Sequence, residues 1–365
     1  MADFYSVRKN NVLCKMKEKK VDTLLVADPK GIRYLTGLNN DPYERMYLLV
    51  LESDGKMKVF ANRLFNLKAD IDIDIDIDFV LYSDSDNPVE ILAKECRLAG
   101  SVGIDKIWPA CFLLPLMQLK PASSFLLASS CLDECRACKD ENEIQKMKEA
   151  SLINDRVMEK ALAFVKGGMS EKELASFIDR EFIAEGADGP CFETIVSFAA
   201  NAADPHHSPA GTELKEGDCI LIDMGCSKDG YCSDMTRTVF YKSVPTKLQE
   251  IYEIVQRAQE TAESFVKAGV RLCDVDAAAR NIIGAAGYGK YFTHRLGHFC
   301  GQTDHEAGDV SSANTGGCKP GMIFSIEPGI YLPDVGGVRI EDLVMVTDTG
   351  CVPLNHVDKN LKVIV

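Results

Sequence analysis

Two periods of hydrophobicity divide the chain. Over the first 130 residues, short apolar runs and period-2 alternation dominate. Residues 21–28 (VDTLLVAD) read as a strand that IRYLTG, residues 32–37, continues after a Pro-Lys-Gly turn, and residues 46–52 (MYLLVLE) read as a further buried strand. Residues 69–80 (ADIDIDIDIDFV) alternate strictly: Ile71, Ile73, Ile75 and Ile77 share one face, and Asp70, Asp72, Asp74, Asp76 and Asp78 the other. This pattern predicts a half-exposed strand whose acidic row resists edge pairing. A flat row of like charges lacks the convergence that a cation site needs. Residues 101–120 add a strand and a helix, so residues 1–130 predict an α/β domain, with residues 131–365 forming a second domain of different style.

From Asp140 the apolar spacing becomes helical. Asp140 with Glu143 makes a capping-box pattern ahead of a stripe of Ile144, Met147, Met158, Leu162 and Val165. Ser170 with Glu173 opens a second helix, which carries Leu174, Phe177, Ile178 and Phe182 and stops near Gly186. After an irregular stretch comes CILIDMGCSKDGYCSDMTRTVFYK, residues 219–242. It reads as a strand, a turn at Asp229-Gly230 and a second strand, with Asp223 and Asp234 almost symmetric about the turn. The same order then recurs. Thr246 with Gln249 predicts a third capping box, a helix near 274–286 follows, and residues 322–346 form a second hairpin flanked by Glu327 and Glu341. From Asp140 to Asp223 is 83 residues and from Thr246 to Glu327 is 81, so helix, helix and carboxylate hairpin are written twice. This predicts an α+β domain of two pseudo-two-fold duplicated halves, in which an aspartate pair from one half meets a glutamate pair from the other.

Composition narrows the chemistry. The chain carries 55 acidic against 41 basic side chains, a formal net charge of −14, which argues against nucleic acid and anionic membrane as partners. The opening MADFYSVRKNN has no apolar export core, and no apolar run reaches membrane-spanning length. Fourteen cysteines are scattered along the chain, and several, such as Cys219, Cys273 and Cys300, fall among core-like residues. They predict free thiols in a reducing cytoplasm. Cys131, Cys135 and Cys138 include a C-x-x-C step but have no fourth ligand nearby, which speaks against a zinc site.

Five of the six histidines, His206, His207, His294, His298 and His305, lie in the irregular segments just before the hairpins. Carboxylates facing each other across an antiparallel ladder stand about 4.5–5.5 Å apart at Cβ and repel unless a cation lies between them. Two divalent ions roughly 3.5–4 Å apart fit that geometry. Four carboxylates with at least one imidazole favour Mn2+, Co2+ or Fe2+ over a thiolate-bound structural zinc, and catalytic Zn2+ is also compatible. Such a pair holds a bridging water and polarises a carbonyl, while further histidines stabilise an oxyanion. The reaction class is hydrolysis of an amide or ester.

The pieces DMGCSKDGYCSDMTRT, HRLGHFCGQTDHE, IEPGIY and GVRIEDLVMV resemble the pita-bread metallopeptidases, which include Xaa-Pro dipeptidase (prolidase), aminopeptidase P and methionine aminopeptidase. VDTLLVADPKGIRYLTG is similar to the creatinase/prolidase-type N-terminal domain, which methionine aminopeptidases lack, so the Xaa-Pro group fits better. The resemblance implies dinuclear metal ligands Asp223, Asp234, His298, Glu327 and Glu341. Asp234 and Glu341 would bridge both ions, Asp223 would hold one, and His298 with Glu327 the other. It further implies that His206 lies over the substrate carbonyl, that His305 also contacts substrate, and that Arg339 stands near the substrate pocket. Glu327 would also act as general base toward a metal-bridging hydroxide. The implied activity is cytoplasmic hydrolysis of the Xaa-Pro bond in dipeptides or short proline-containing peptides, by a homodimer carrying two divalent ions, Mn2+ foremost. Alternatives are an aminopeptidase P acting on longer peptides, a metal-independent creatinase-like C–N hydrolase, and a non-catalytic binding protein on the same fold. The last two are expected to have lost carboxylate ligands that this chain keeps. Some dipeptidases of the group grip the free carboxylate of the dipeptide with an arginine just beyond the His-Glu pair. Here the chain reads His305-Glu306-Ala307-Gly308-Asp309, and Asp309 cannot grip a carboxylate.

Overall fold

The computed structural model describes residues 4–65, 67, 76–121 and 123–365. The chain divides into two units, Met1–Arg136 and Ala137–Val365. The division falls after Arg136 rather than after residue 130, because helix Ser130–Ala137 buries Cys131 and Leu132 in the core of the first unit.

Among the described residues of the first unit six strands form one sheet in the order Asp78–Tyr82, Met57–Asn62, Leu48–Glu52, Thr23–Val26, Ser101–Ile104, Ser124–Leu127. Alternate side chains enter opposite cores. Leu24, Leu49 and Leu51 pack with Val12 and Leu35, while Leu25, Leu48 and Val50 pack with Leu92 and Leu116. Helices therefore cover both faces, as in a layered α/β domain. The segment IRYLTG does not continue a strand. Pro29–Thr36 is a helix, started by the Asp28 carboxylate accepting from the Lys30 N–H and ended by Gly37 in the left-handed region at φ 73°. Of the alternating acidic segment, residues 69–75 lie outside the described residues, and strand Asp78–Tyr82 begins at its end.

In the second unit, helices Glu141–Phe164 and Glu171–Ala184 begin at Asp140 and Ser170, and both capping boxes form. Helix Thr246–Phe265 starts differently. Its N-cap is Pro245 and no side chain caps it; the Gln249 N–H bonds to the Pro245 carbonyl, so the expected Thr246–Gln249 box is absent. Proline's restricted φ, here −61°, sets the chain entering the helix without that help. The first helix pair packs through Val157, Ile178 and Phe182 on a sheet ordered Val363–Ile364, Met235–Tyr241, Cys219–Met224, Ile195–Phe198. Helices Thr246–Phe265 and Leu272–Ala285 pack through Ile251, Val255, Val275 and Ile283 against a sheet ordered Glu306–Val310, Gly297–Phe299, Ile323–Ile326, Asp342–Val346, Cys351–Pro353. Each half is thus a helix pair on a sheet.

The two hairpins differ in register. Asp223 faces Thr236 and Met224 faces Met235, so Asp223 and Asp234 do not oppose each other as their symmetric spacing suggests. The same register runs on through the small hairpin Cys226–Lys228 with Tyr231–Cys232, where Ser227 faces Cys232 and Lys228 faces Tyr231, so Asp234 lies two residues nearer the turn than Thr236, the partner of Asp223. In the other half Ile326 faces Asp342, which makes Glu327 and Glu341 the next residues on their strands.

Hydrogen bonds stitch the halves together. The Glu341 N–H donates to the Thr236 carbonyl at 3.1 Å, and the Thr238 hydroxyl donates to the Arg339 carbonyl at 2.9 Å while accepting the Arg339 N–H at 3.2 Å. The buried Arg237 donates to the Glu341 carbonyl at 2.6 Å, to the Asp342 carboxylate at 2.7 Å and to the Val357 carbonyl.

Close approach also constrains strand Gly297–Phe299, which carries His298. A Cβ on Gly297 would stand 1.8 Å from the Ser325 carbonyl oxygen. Gly297→Ala is expected to cost about 1–3 kcal/mol through overpacking, measured as a lower thermal midpoint. An unchanged midpoint would contradict this close approach.

Candidate metal centre

Asp223, Asp234, His298, Glu327 and Glu341 line one cavity of about 630 Å³, together with His206, His207, His294, Arg295, Asp304, His305 and Arg339. Strands deliver the five. Asp223 is on Cys219–Met224 and His298 on Gly297–Phe299, while Asp234, Glu327 and Glu341 sit immediately beside the ends of Met235–Tyr241, Ile323–Ile326 and Asp342–Val346. Strand ends hold side chains more rigidly than loops do, which suits a site that must keep charges apart.

Ligand atoms of Asp234, His298 and Glu341 all lie within 4.8 Å of one another. His298 Nε2 stands 3.5 Å from Asp234 Oδ2 and 3.4 Å from Glu327 Oε1. The Thr236 hydroxyl donates to Glu341 Oε2 at 2.6 Å, and the Ser325 hydroxyl donates to Glu327 Oε1 at 3.0 Å while accepting the His298 N–H at 3.0 Å. Arg339 is buried rather than on a strand surface. It donates to Asp223 Oδ2 at 2.6 Å, to the Thr236 hydroxyl at 3.0 Å and to the Tyr331 hydroxyl at 3.0 Å. Asp223 Oδ1 is buried with no hydrogen-bond partner among the described residues. An orphaned carboxylate oxygen in the same cavity as three convergent donors is what a hard divalent cation would satisfy, so the donor set fits the metal ions implied by the sequence.

Charge and burial act together here. Burial, followed by repulsion from Glu341, Asp223 and Glu327, pushes the Asp234 carboxyl well above its ordinary range. Burial and the charges of Glu327 and Asp223 do the same to Glu341. Glu327 is raised to about 7, mainly by burial, with Arg339 opposing the rise. Burial lowers His298 to about 3 and His294 to about 4. Both imidazoles are therefore neutral at pH 7, and a neutral imidazole can offer a lone pair to a metal. The His305 ring stacks on His298 at a centroid distance of 3.7 Å, and its Nδ1 accepts from Arg295 at 2.8 Å.

His294 was legible only as one of a cluster. The structure gives it a place in the cavity wall, with Nε2 2.8 Å from the Tyr331 hydroxyl and Nδ1 2.7 Å from the Arg295 carbonyl oxygen. Its four-residue offset from His298 in HRLGH was the available signal. Tyr331 and Thr236 carried no such signal, because strand-forming residues look alike whether or not their hydroxyls meet a functional group. Asp309 is not part of the cavity wall. It pairs with His298 across the ladder, and its carboxylate accepts from the Ser311 hydroxyl.

A two-unit chain that converges carboxylates and a neutral imidazole on one buried cavity has the construction of a metal-dependent peptidase. The profile described as Metallopeptidase family M24 matches residues 145–348, and that of the Creatinase/Prolidase N-terminal domain matches residues 8–138. An uncharacterized peptidase of Staphylococcus saprophyticus is 35% identical over 350 residues, covering 94% of this chain and 97% of the relative. A solved recombinant prolidase from Thermococcus sibiricus matches with a TM-score of 0.90 at 37% identity, covering 99% of each chain. An Xaa-Pro dipeptidase from Bacillus anthracis matches with a TM-score of 0.90 at 26% identity, covering 99% of this chain and 100% of its own. The chain belongs to metallopeptidase family M24, with a creatinase/prolidase N-terminal domain and a pita-bread catalytic domain.

The raised carboxyls set the sign of a pH effect. An unfolded glutamate releases its proton near 4.5, whereas Glu327 in the fold holds its proton to about 7. Asp234 and Glu341 shift in the same direction. Metal-stripped protein is therefore expected to lose stability as pH rises from about 4.5 through about 7. Saturating Mn2+ is expected to remove that slope, because cations replace protons as the compensating charge. Denaturant midpoints of stripped and loaded protein between about pH 5 and pH 8 measure this, and a stripped protein that gains stability over the interval would contradict it.

Proposed function

We propose that this chain hydrolyses the peptide bond preceding proline in Xaa-Pro dipeptides, with two divalent ions held by Asp223, Asp234, His298, Glu327 and Glu341. The observation that carries the reading is the convergence of these five side chains on one cavity. The likeness to a prolidase along 99% of both chains supports the substrate class. Mn2+ is the favoured ion and Co2+, Fe2+ or Zn2+ are alternatives, since oxygen-rich donor sets with one imidazole suit all of them. When bound, the ions supply a Lewis acid for the scissile carbonyl and an activated water as nucleophile.

The protein's own groups do the rest. Glu327 accepts the proton of the attacking water and returns it to the departing proline nitrogen. That nitrogen leaves as a secondary amine and must be protonated as the bond breaks. His206 and His305, on the cavity wall, donate hydrogen bonds to the oxygen that gains negative charge. Arg339 acts through Asp223, whose Oδ2 it holds at 2.6 Å, rather than by touching substrate. Among the lining residues Arg295 donates to a neutral imidazole instead of a carboxylate, so the cavity offers a counter-charge to the free carboxylate of a dipeptide. Asp309, outside the cavity wall, does not oppose it.

All fourteen thiols are free, which supports a reducing, cytoplasmic setting, and among the described residues no helix is long and apolar enough to cross a membrane. A homodimer is the expected assembly, to be read by light scattering.

Protein loaded with Mn2+ or Co2+ is expected to release alanine from Ala-Pro faster than from Ala-Pro-Ala. Asp234→Asn should lower kcat/KM by roughly a thousandfold. Faster turnover of the tripeptide would reassign the chain to an aminopeptidase P activity. No turnover of either substrate would sink the proposal, and full activity in the presence of EDTA would favour a creatinase-like reaction.

A further inference from the structure

Glu171, the first residue of helix Glu171–Ala184, has a side chain with no solvent exposure. Both of its carboxylate oxygens are used, and all four bonds go to the segment that carries His206. Oε1 accepts from the Phe198 N–H at 2.8 Å and from Asn201 Nδ2 at 2.9 Å. Oε2 accepts from the Ala210 N–H at 2.8 Å and lies 2.9 Å from His207 Nε2. These donors run the length of the segment. Phe198 closes strand Ile195–Phe198, Asn201 lies in the turn Ala199–Ala203, His207 adjoins His206, and Ala210 stands where the chain heads back. Asn201 Nδ2 ties the same point to the Thr212 hydroxyl at 2.9 Å, and the Glu171 N–H donates to the Thr212 carbonyl at 3.2 Å.

His206 itself is anchored by little. Its backbone N–H donates to Asp204 Oδ1 at 3.0 Å, and its imidazole makes no hydrogen bond among the described residues, although it lines the cavity. The place of that ring is therefore set by the segment around it, and Glu171 holds that segment by its backbone at entry and exit and by the Asn201 and His207 side chains between. An ionised carboxylate accepts at both oxygens, which is why a single side chain can serve four donors.

We propose that Glu171, with His207, is a positioning residue that holds His206 over the cavity. The inference rests on the reading of His206 as a group that touches substrate. Glu171→Gln keeps the shape but turns one acceptor oxygen into an NH2 group, which confronts N–H donors it cannot satisfy. His207→Gln keeps an N–H donor for Glu171, whereas His207→Ala removes it.

In the full-length, Mn2+-loaded protein, Glu171→Gln is expected to lower kcat on Ala-Pro by roughly 10- to 100-fold with little change in KM, the size of effect expected when a reacting-centre group is slightly misplaced. Added to His206→Ala, it is expected to cost almost nothing further, because it acts through that side chain. Fully additive losses would overturn the proposal. His207→Gln should retain more activity than His207→Ala, and equal loss would count against it. These two variants carry the test should Glu171→Gln not fold. Hydrogen exchange decides the point without any activity. Amides of residues 199–212 should exchange faster in Glu171→Gln while those of strand Cys219–Met224 stay protected. A uniform rise across both would overturn the positioning role. A wild-type protein that cleaves no Xaa-Pro peptide would defeat the proposed function and still leave this exchange result readable.

Discussion

Four carboxylates share one cavity, and their mutual repulsion is the constraint that the catalytic unit is built around. Two unit charges about 4 Å apart repel by roughly 4 kcal/mol at an effective dielectric constant near 20. Three devices meet that cost. The Arg339 guanidinium sits against Asp223, the hydroxyls of Thr236 and Ser325 donate to Glu341 and Glu327, and the ligand atoms of Asp234, His298 and Glu341 lie close enough together to hold a cation. Burial, with this repulsion added to it, raises the pKa values of Asp234, Glu327 and Glu341.

Repelling groups stay together only if their supports cannot move apart. That task falls to the stitch between residues 236–238 and 339–341. Arg237 is central to it, since it closes on backbone carbonyls of both hairpins and on Asp342. Lys359 reaches the other oxygen of Asp342 at 2.7 Å and Glu263 at 2.7 Å, so the stitch is backed by charges that are themselves paired. Buried ion pairs add little net stability over apolar packing, yet removing one partner is severe, and this makes them a means of fixing geometry.

Much of this was legible in the chain, and the failures have physical causes. The cap residues Asp140 and Ser170 with their glutamates announced two helices, because a capping box is a local bargain between neighbours. The same signal misled at Thr246, where Pro245 already sets the entering chain. IRYLTG was too short for its apolar pattern to separate strand from helix, and the deciding residues were Asp28 before it and Gly37 at its end. The duplication, and the residues on which the two hairpins converge, could be read from spacing. The register of the first hairpin could not, because the ladder is centred on Asp229-Gly230, which pairs Asp223 with Thr236 and leaves Asp234 two residues nearer the turn. Contacts such as Thr236 with Glu341 bridge 105 positions, and nothing local to either residue marks them.

The side chains that line the cavity reach it by two kinds of support. The charged donors ride on paired strands tied into both sheets, while His206 arrives on an excursion between strands Ile195–Phe198 and Cys219–Met224. The excursion is held by bonds to the Glu171 side chain rather than by ladder pairing, so its position answers to one helix while the carboxylates answer to the sheets. One cavity wall is thus assembled from two separately anchored pieces of the chain.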